Sequence, residues 1–326
     1  MSFDIFGIEN GCIDLNVCID SYPEKNRGAR VRDMTWQGGG KVSTGMAAAA
    51  RLGASCTLCA YFAKDAYGRF LYKDFLDHGV DLSGSQFKED GVTSMSVVLS
   101  ESETSTRNIF FKPGNLGRMD FEDVRWDLLK QAKYLYISHT RDDVILEAIR
   151  IAHENGVKVF IDADFQGSFW ENIPSIDVFV GSEYCFDSFF PGAKEKGLEN
   201  LEEEVQKVRD LGPEIVLFTF GEKGLIGKSR ENGYFTVPAF KVNAIDTVGA
   251  GDVFHGAYVA ALLEGKDAKE AAVMASATSA IKCTRIGGRA GIPNREILEK
   301  FLTTGEIDGE ELDRRAEYYR RAMDYV

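Results

Sequence analysis

The residues best suited to chemistry stand together in one segment, Asp246-Thr-Val-Gly-Ala-Gly-Asp-Val-Phe-His-Gly-Ala257. A Gly249-Ala250-Gly251 turn runs into a helix predicted over Asp252–Glu264. Glycines let the backbone turn sharply and approach a ligand, and the first N–H groups of a helix point outward without partners. Together with the helix dipole they form a cradle for negative charge. The segment therefore predicts an anion hole at residues 249–251.

Asp252 lies at the mouth of this cradle. A carboxylate there can accept a proton from an alcohol while N–H groups hold the oxygens of a phosphoryl group in transfer. The alternative is a plain helix N-cap, a role that aspartate performs well. The preceding glycines and the Asp246-Thr247 pair favour the general base. For His255 two interpretations are open, because it either tunes this base or is a packed, hydrogen-bonded histidine.

Composition and charge exclude several classes of protein. The chain has 326 residues, of which 44% are hydrophobic, and a net charge of −13. This apolar share is enough for a large core, which excludes disordered and low-complexity proteins. A protein with this negative charge repels the phosphate backbone of nucleic acids and anionic lipid. The sequence therefore predicts no nucleic acid or membrane partner. The six cysteines stand mostly in apolar runs and the N-terminus lacks a signal-peptide pattern, so a cytoplasmic location is predicted.

Short strand-like runs alternate with amphipathic helical runs along most of the chain. This pattern predicts an α/β, Rossmann-like fold, with a mainly parallel sheet and helices on both faces. Strands are predicted at Asp4–Ile8, Cys56–Phe62, Tyr134–Ile137, Lys158–Asp162, Val178–Val180 and Ile215–Phe220. Helices are predicted at Ser43–Leu52, Phe70–His78, Asp142–Asn155, Leu201–Leu211 and Asp252–Glu264.

The alternation breaks at about residues 13–36 and 93–112, where strand-like inserts follow without a helix. We expect the two inserts to pair into a small β-sheet lid. Ligands of open α/β sheets bind at the carboxyl ends of the strands, which such a lid would cover. The prediction is a single domain over residues 1–326 with a C-terminal helical extension at about 304–326.

The segment that begins at Asp246 matches DTxGAGDxF, the C-terminal signature of the pfkB (ribokinase-like) family of carbohydrate kinases. The similarity extends from about Asp4 to Leu302. Three other stretches resemble family motifs in the correct order: the glycine pair and helix of Gly39–Gly53, the D-x-N-x-R…W pattern of Asp162–Trp170 and the T-x-G-x-x-G turn of Thr219–Gly224. Gly38–Gly40 with Thr44, Gly251–Ala257 and Lys282–Pro293 further resemble the branch that includes sulfofructose kinase.

The resemblance implies a ribokinase-like fold with a β-sheet lid and ATP-dependent phosphorylation of a sugar hydroxyl. It makes Asp252 the general base and the backbone of Gly249, Ala250 and Gly251 the anion hole. The other implied residues are Asp14, Gly39, Gly40, Lys41 and Thr44 for the sugar, and Thr219, Gly221, Gly224 and Ser182 for the nucleotide. Mg²⁺ would accompany ATP with Glu183 holding its water shell, and Asp246 would neighbour a monovalent cation such as K⁺.

The chain departs from the family pattern at three positions. Thr44 stands where the family usually has Asn, Ser182-Glu183-Tyr184-Cys185 replaces N-x-x-E, and Asp164 replaces the Asn of D-x-N. These changes concern the substrate and the metal rather than the reaction class. Lys41, directly after the glycine pair, favours a substrate with an acidic group, such as a sugar acid, phosphate or sulfonate.

Two other functions stay open. A nucleoside kinase would hold the base in an aromatic slot, which Trp36, Phe110 and Phe111 could form. A catalytically silent kinase fold would bind a sugar or nucleotide without turning it over. In any of these cases, exposed lid strands favour pairing with a second copy, so a homodimer is predicted.

Overall fold

The computed structural model describes residues 3–101, 106–163 and 169–322. The strands are β1 (Ile5–Ile8), β2 (Cys12–Ile19), β3 (Val31–Gly39), β4 (Cys56–Cys59), β5 (Tyr61–Ala63), β6 (Gln86–Lys88), β7 (Met95–Glu101), β8 (Thr106–Lys112), β9 (Tyr134–Ile137), β10 (Lys158–Ala163), β11 (Val178–Ser182), β12 (Ile215–Thr219), β13 (Leu225–Ser229) and β14 (Gly233–Val237). The helices are α1 (Lys41–Arg51), α2 (Ala66–Asp77), α3 (Trp126–Leu129), α4 (Asp143–Glu154), α5 (Phe169–Asn172), α6 (Glu183–Phe189), α7 (Glu202–Arg209), α8 (Ala250–Leu263), α9 (Ala268–Lys282), α10 (Arg295–Thr304) and α11 (Glu310–Arg320).

An eight-stranded sheet forms the centre of the molecule, in the order β4-β1-β9-β10-β11-β12-β13-β14. The first six strands are mutually parallel, and β13 and β14 continue the sheet in antiparallel fashion. Successive side chains of a strand point to opposite faces, and two hydrophobic clusters follow this alternation. Ile5 packs into one cluster with α1, α8 and α9, whereas Phe6 packs into the other with α4 and α7. The predicted α/β fold class, with helices on both faces, is confirmed.

A second, smaller sheet has four strands in the order β3-β2-β7-β8. Strands β2 and β7 run parallel, and each pairs with an antiparallel outer strand. The register places Asp14 on β2 opposite Gln37 on β3. This sheet adjoins the chain around residue 246, because Ser100 Oγ on β7 donates to Asp246 Oδ1 at 3.2 Å.

The predicted strand Cys56–Phe62 is wrong as a single element. The chain forms β4 in the main sheet, and then β5, which pairs with β6 in a separate two-stranded sheet. The side chain of Asn10 accepts a hydrogen bond from the Tyr61 N–H at 2.7 Å, and the Ala60 N–H donates to Ser85 Oγ. These hydrogen bonds to residues distant in sequence separate β4 from β5. The local residue pattern gave no sign of this break, because the apolar run continues through it.

All six cysteines of the chain are free, and five of them, including Cys56 and Cys59, are buried. Within the three described ranges, no helix has both the length and the apolar character needed to cross a membrane.

Candidate active site

The predicted anion hole lies at the start of α8. Gly249 precedes the helix in the left-handed region, with φ 70° and ψ 5°, and no side chain caps the helix. A Cβ on Gly249 would stand 2.8 Å from the Cα of Gly288, so two glycine turns meet back to back. The Ala250 N–H donates to the main-chain oxygen of Thr247 at 3.2 Å. Because no side chain caps the helix, the N–H groups that follow Ala250 in the first turn are available to an anionic ligand.

Asp252 lies in the first turn of α8 rather than at the cap position. Burial raises the pKa of this carboxyl group well above its usual value, and the nearby negative charge of Asp162 adds to that shift. The ammonium group of Lys41 opposes it, whereas the carboxylates of Glu9 and Asp14 raise it further. The plain N-cap interpretation of Asp252 is wrong, because Gly249 occupies the N-cap position. A carboxyl group with a raised pKa beside a helix N-terminus is a candidate proton acceptor.

Close packing of helices α1 and α8 brings Lys41 near Asp252. Lys41 is the first residue of α1, and a Cβ on Gly256 of α8 would lie only 1.9 Å from the main-chain oxygen of Gly45. Gly256 therefore lets α1 and α8 cross in direct backbone contact. Lys41 Nζ lies 3.4 Å from Asp162 Oδ1, with about a third of the lysine side chain exposed and the aspartate buried. The predicted acid-binding lysine is thus part of an ion pair inside an acidic site.

Sequence reasoning did not select Asp162 or Glu9 as site residues. Asp162 lies on β10 near its carboxyl end, and Glu9 follows the last residue of β1. Glu9 Oε2 accepts the Ser43 N–H at 2.8 Å, and burial raises the pKa of Glu9. The signal that could have found both is their position, because ligands of parallel sheets bind at the carboxyl ends of the strands.

His255 is buried on α8, next to the predicted anion hole. Its Nδ1 contacts the main-chain oxygen of Gly251, and its Nε2 lies 3.3 Å from the oxygen of Val180 and 3.5 Å from Asp162 Oδ1. The packed-histidine interpretation describes the first two contacts. The third places His255 near the carboxylate of Asp162, whose charge adds to the raised pKa of Asp252. A tuning role for His255 stays a prediction.

The predicted sugar-binding residues converge where the small sheet meets α1. A Cβ on Gly39 would lie 2.1 Å from Asp14 Oδ2, so the carboxylate covers this glycine directly. Gly40 caps α1 at φ 102°. Burial raises the pKa of Asp14, although the Cys12 thiol donates to its Oδ1 at 3.3 Å. Thr44 is on the same helix but only 1% exposed, so its hydroxyl faces protein rather than an open cleft.

The predicted nucleotide turn borders a cleft of about 620 Å³. Thr219 ends β12, and Gly221 and Gly224 have φ values of 55° and 94°. The cleft walls include Lys194, Gly197, Phe220, Lys223, Val237 and Pro238. Two lysines on a partly apolar wall suit a ligand that joins a flat ring to phosphates.

The predicted metal and nucleotide residues after β11 already have protein partners. Ser182 Oγ accepts the Cys185 N–H at 3.3 Å and caps α6. Glu183 Oε1 lies 3.0 Å from Lys194 Nζ and 3.4 Å from Lys223 Nζ. Asp164, the departure from the D-x-N pattern, is outside the described residues. In the described part of the chain no three His, Cys, Asp or Glu residues cluster as a metal site.

Asp246 is buried and uses every oxygen in a protein hydrogen bond. Oδ1 accepts the Val248 N–H at 3.0 Å as well as the Ser100 hydroxyl, and Oδ2 accepts the Gly287 N–H at 2.8 Å. The main-chain oxygen accepts Lys282 Nζ at 2.9 Å. Asp246 therefore ties the segment before α8 to the turn after α9. These contacts fit poorly with a role as ligand of a free cation.

Comparison with known proteins decides the family. A family model described as pfkB family carbohydrate kinase matches residues 5–295.

The chain belongs to the pfkB family of carbohydrate kinases.

Relatives and a solved structure show how far this kinase resembles others. A 5-dehydro-2-deoxygluconokinase of Clostridium perfringens is 26% identical over 274 residues, which cover 78% of this chain and 80% of the relative. A ribokinase of Haemophilus influenzae is 29% identical over 272 residues, covering 81% and 87%. The structure of Arabidopsis thaliana ribokinase complexed with ribose and ATP matches with a TM-score of 0.78 at 22% identity, covering 93% of this chain and 99% of the other.

These findings confirm two predictions made from the motifs. The pfkB-family chain is a sugar kinase, and its fold is the ribokinase-like one. Sulfofructose kinase is not the activity named for these relatives, which are kinases of a dehydro-deoxygluconate and of ribose by name.

Proposed function

We propose that this kinase transfers the γ-phosphoryl group of ATP to a hydroxyl group of a small sugar or sugar derivative, with Asp252 as general base. The observation that carries the proposal is the position of Asp252 beside an uncapped helix N-terminus, with its pKa raised by burial and by Asp162. A carboxylate with a raised pKa is a stronger proton acceptor than an exposed one. The substrate hydroxyl would give its proton to Asp252 as its oxygen bonds to phosphorus and the bond to ADP breaks.

The start of α8 would stabilise the charge of the phosphoryl group. The backbone N–H groups of the Gly249–Gly251 segment have no side-chain cap, and nothing lies within 4 Å of a Cβ built on Gly251. The helix dipole favours an anion at this end. Bound Mg·ATP supplies the phosphoryl group with part of its charge already neutralised by the metal.

Residues of the small sheet and α1 would orient the sugar. Asp14 over Gly39 supplies a carboxylate that accepts hydrogen bonds from sugar hydroxyls, and the Gly40 turn keeps the backbone close. Lys41, held near Asp162, would contact the substrate beside the reacting hydroxyl, with Thr44 behind it. The small sheet would act as a lid that excludes water, which otherwise competes as phosphoryl acceptor.

The cleft beside Thr219, Gly221 and Gly224 would hold the nucleotide. We expect the lysines of this cleft and Ser182, the last residue of β11, to contact the phosphates, and Glu183 to influence Mg²⁺ through water. The ion pairs of Glu183 with Lys194 and Lys223 would have to rearrange for this role.

Two alanine substitutions test the anion hole as a matched pair. Gly249→Ala puts a Cβ at a left-handed φ and 2.8 Å from Gly288, so we expect a stability loss of about 1–3 kcal/mol together with lost activity. Gly251→Ala meets no protein atom within 4 Å and should keep its melting temperature. Its methyl group would occupy the proposed phosphoryl space, so kcat should fall by at least about tenfold. Full activity of Gly251→Ala would contradict the anion hole.

The function itself is tested by ADP release from Mg·ATP with a panel of acceptors. The panel holds ribose, fructose, 5-dehydro-2-deoxygluconate, fructose 6-phosphate, sulfofructose and adenosine. A sugar or sugar derivative should be phosphorylated, and an anionic one would support a substrate contact by Lys41. Activity on adenosine alone would favour the nucleoside kinase. Mg·ATP binding in calorimetry without turnover of any acceptor would favour the silent fold.

We also propose that a second copy covers the outer edge of the small sheet. Strand β8 is its edge, and Ile109, Phe110 and Phe111 there are each between 57% and 61% exposed. Such an edge presents unpaired backbone groups beside apolar side chains, which favours pairing with an identical strand. Light scattering should give twice the 36.1 kDa chain mass, and Phe110→Lys should halve it. A monomeric parent protein would contradict the dimer.

A further inference from the structure

Lys282, at the end of α9, is completely buried next to the proposed anion hole. Its ammonium group donates to the main-chain oxygen of Asp246 at 2.9 Å. Removing an ammonium ion from water is costly unless carbonyl or carboxylate oxygens replace the water. We therefore expect Lys282 to have a role that an apolar side chain could not perform.

The surroundings show what Lys282 holds together. The main-chain oxygen of Cys283 accepts the N–H groups of Ile245 and Asp246, at 2.7 and 3.1 Å. Ser279 Oγ on α9 donates to the oxygen of Ala250 at 2.8 Å. The C-terminal end of α9 thus fixes the segment from Ile245 to Ala250, which leads directly into α8. Lys282 adds a positive charge to that attachment.

The turn after α9 is likewise held by hydrogen bonds to other parts of the chain. Gln37 Nε2 donates to the main-chain oxygen of Ile286 at 2.8 Å, and Gln37 Oε1 accepts the N–H groups of Arg289 and Ala290. The Gly287 N–H donates to Asp246 Oδ2. Carbonyl oxygens of two facing turns are suitable ligands for a monovalent cation. Here the Gln37 side-chain amide donates to the main-chain oxygen of Ile286, and the Lys282 ammonium group donates to that of Asp246.

We propose that Lys282 is a built-in cation, which replaces a dissolved monovalent cation beside the anion hole and makes this kinase independent of K⁺. A positive charge that donates to the main-chain oxygen of Asp246 supplies the same charge as a bound K⁺ ion, and it is present at any salt composition. Lys282 is a positioning residue that acts through the Asp246–Gly251 segment. The inference rests on the role proposed for that segment in phosphoryl transfer.

The experiment measures nucleotide binding and turnover in potassium chloride and in tetramethylammonium chloride at equal ionic strength. Tetramethylammonium is too large to replace K⁺ between two turns. For the unmodified protein, the Kd for the ATP analogue AMP-PNP with Mg²⁺ should differ less than twofold between the salts, and kcat with the acceptor found in the panel should behave alike. A fivefold or larger fall in Kd, or a fivefold or larger rise in kcat, in potassium chloride relative to tetramethylammonium chloride would overturn the proposal.

Lys282→Met supplies the second arm, because it keeps the length of the side chain and removes the charge. We expect kcat to fall at least tenfold in tetramethylammonium, with KM for the sugar changed little, and to recover in part when K⁺ or NH₄⁺ is added. A loss that neither cation repairs would mean that Lys282 is only structural and would overturn the proposal. So would a folded variant with unchanged kcat.

If Lys282→Met does not fold, the comparison of the two salts on the unmodified protein still tests the proposal. AMP-PNP binding needs no acceptor, so cation-independent binding without sugar turnover would contradict the proposed function and support the built-in cation. Sugar turnover that requires K⁺ would support the proposed function and contradict the built-in cation.

Discussion

Asp252→Asn should reduce kcat by about 10²–10⁴-fold while changing the affinity for Mg·ATP little. Asparagine has nearly the same size but cannot take the proton of the attacking hydroxyl. The same change should raise the melting temperature at neutral pH. A carboxyl group whose pKa is raised by burial and by Asp162 is less stable ionised in the folded protein than in the unfolded chain, and asparagine removes that cost.

The control for Asp252→Asn is Asp143→Asn. Asp143 is likewise an acidic residue in the first turn of a helix, but it lies exposed on α4. Its substitution should leave kcat unchanged. An Asp252→Asn variant with parental kcat would refute the general base, whereas equal losses in both variants would point to a helix-dipole effect rather than proton transfer.

The pH profile gives an independent check on the same residue. Because the folded-state pKa of Asp252 is raised, the base becomes protonated at a higher pH than an ordinary aspartate with a pKa of about 4. The rate should therefore fall, as the pH is lowered, well above that value. Asp162→Asn removes the negative charge that raises this pKa, so it should move the fall in rate to lower pH.

Arg289→Met should lower the free energy of unfolding by about 3–5 kcal/mol, because it leaves a buried carboxylate without its partner. Arg289 and Asp74 are 0% and 1% exposed, with Nη1 and Oδ2 2.6 Å apart. The Tyr319 hydroxyl donates to the other oxygen of Asp74, also at 2.6 Å. The pair therefore joins α2, the turn after α9 and the C-terminal helix α11 in the interior.

The same substitution should also weaken sugar binding. Arg289 Nη2 donates to the main-chain oxygen of Gly39 at 3.3 Å, and a Cβ on Gly38 would lie 2.2 Å from Nη1. Arg289 thus supports the glycine turn under Asp14. We expect KM for the sugar to rise several-fold, and to rise more than KM for ATP does.

Two controls separate burial from charge. Arg320 pairs with Asp33 at 2.8 Å but is 42% exposed, so Arg320→Ala should cost no more than about 1 kcal/mol. The double variant Asp74→Leu with Arg289→Met removes both charges and should recover much of the stability lost by Arg289→Met alone. Chemical denaturation measures all three. A loss below 1 kcal/mol for Arg289→Met would contradict the argument.

The sequence by itself determined the features that depend on neighbours along the chain. Strand and helix alternation follows from periods of 2 and 3.6 residues, and it predicted the α/β layers. The Gly249–Gly251 turn before an apolar helix predicted where an anion would bind. These features led to the family and the reaction class. They did not show that Asp252 lies beyond the cap position, because cap geometry depends on backbone angles at Gly249.

Only the tertiary structure decided which distant groups meet. Lys41 and Asp162 are 121 residues apart in the chain, and Asp74 and Arg289 are 215 apart. The helix at 310–320 looks like a surface helix in sequence, yet its Tyr319 reaches the buried Asp74. Lys282 and Arg289 look like ordinary surface charges until the turns around them close. A charge in water and a charge in the interior have the same letter in a sequence, and only the fold determines which of them must find a partner.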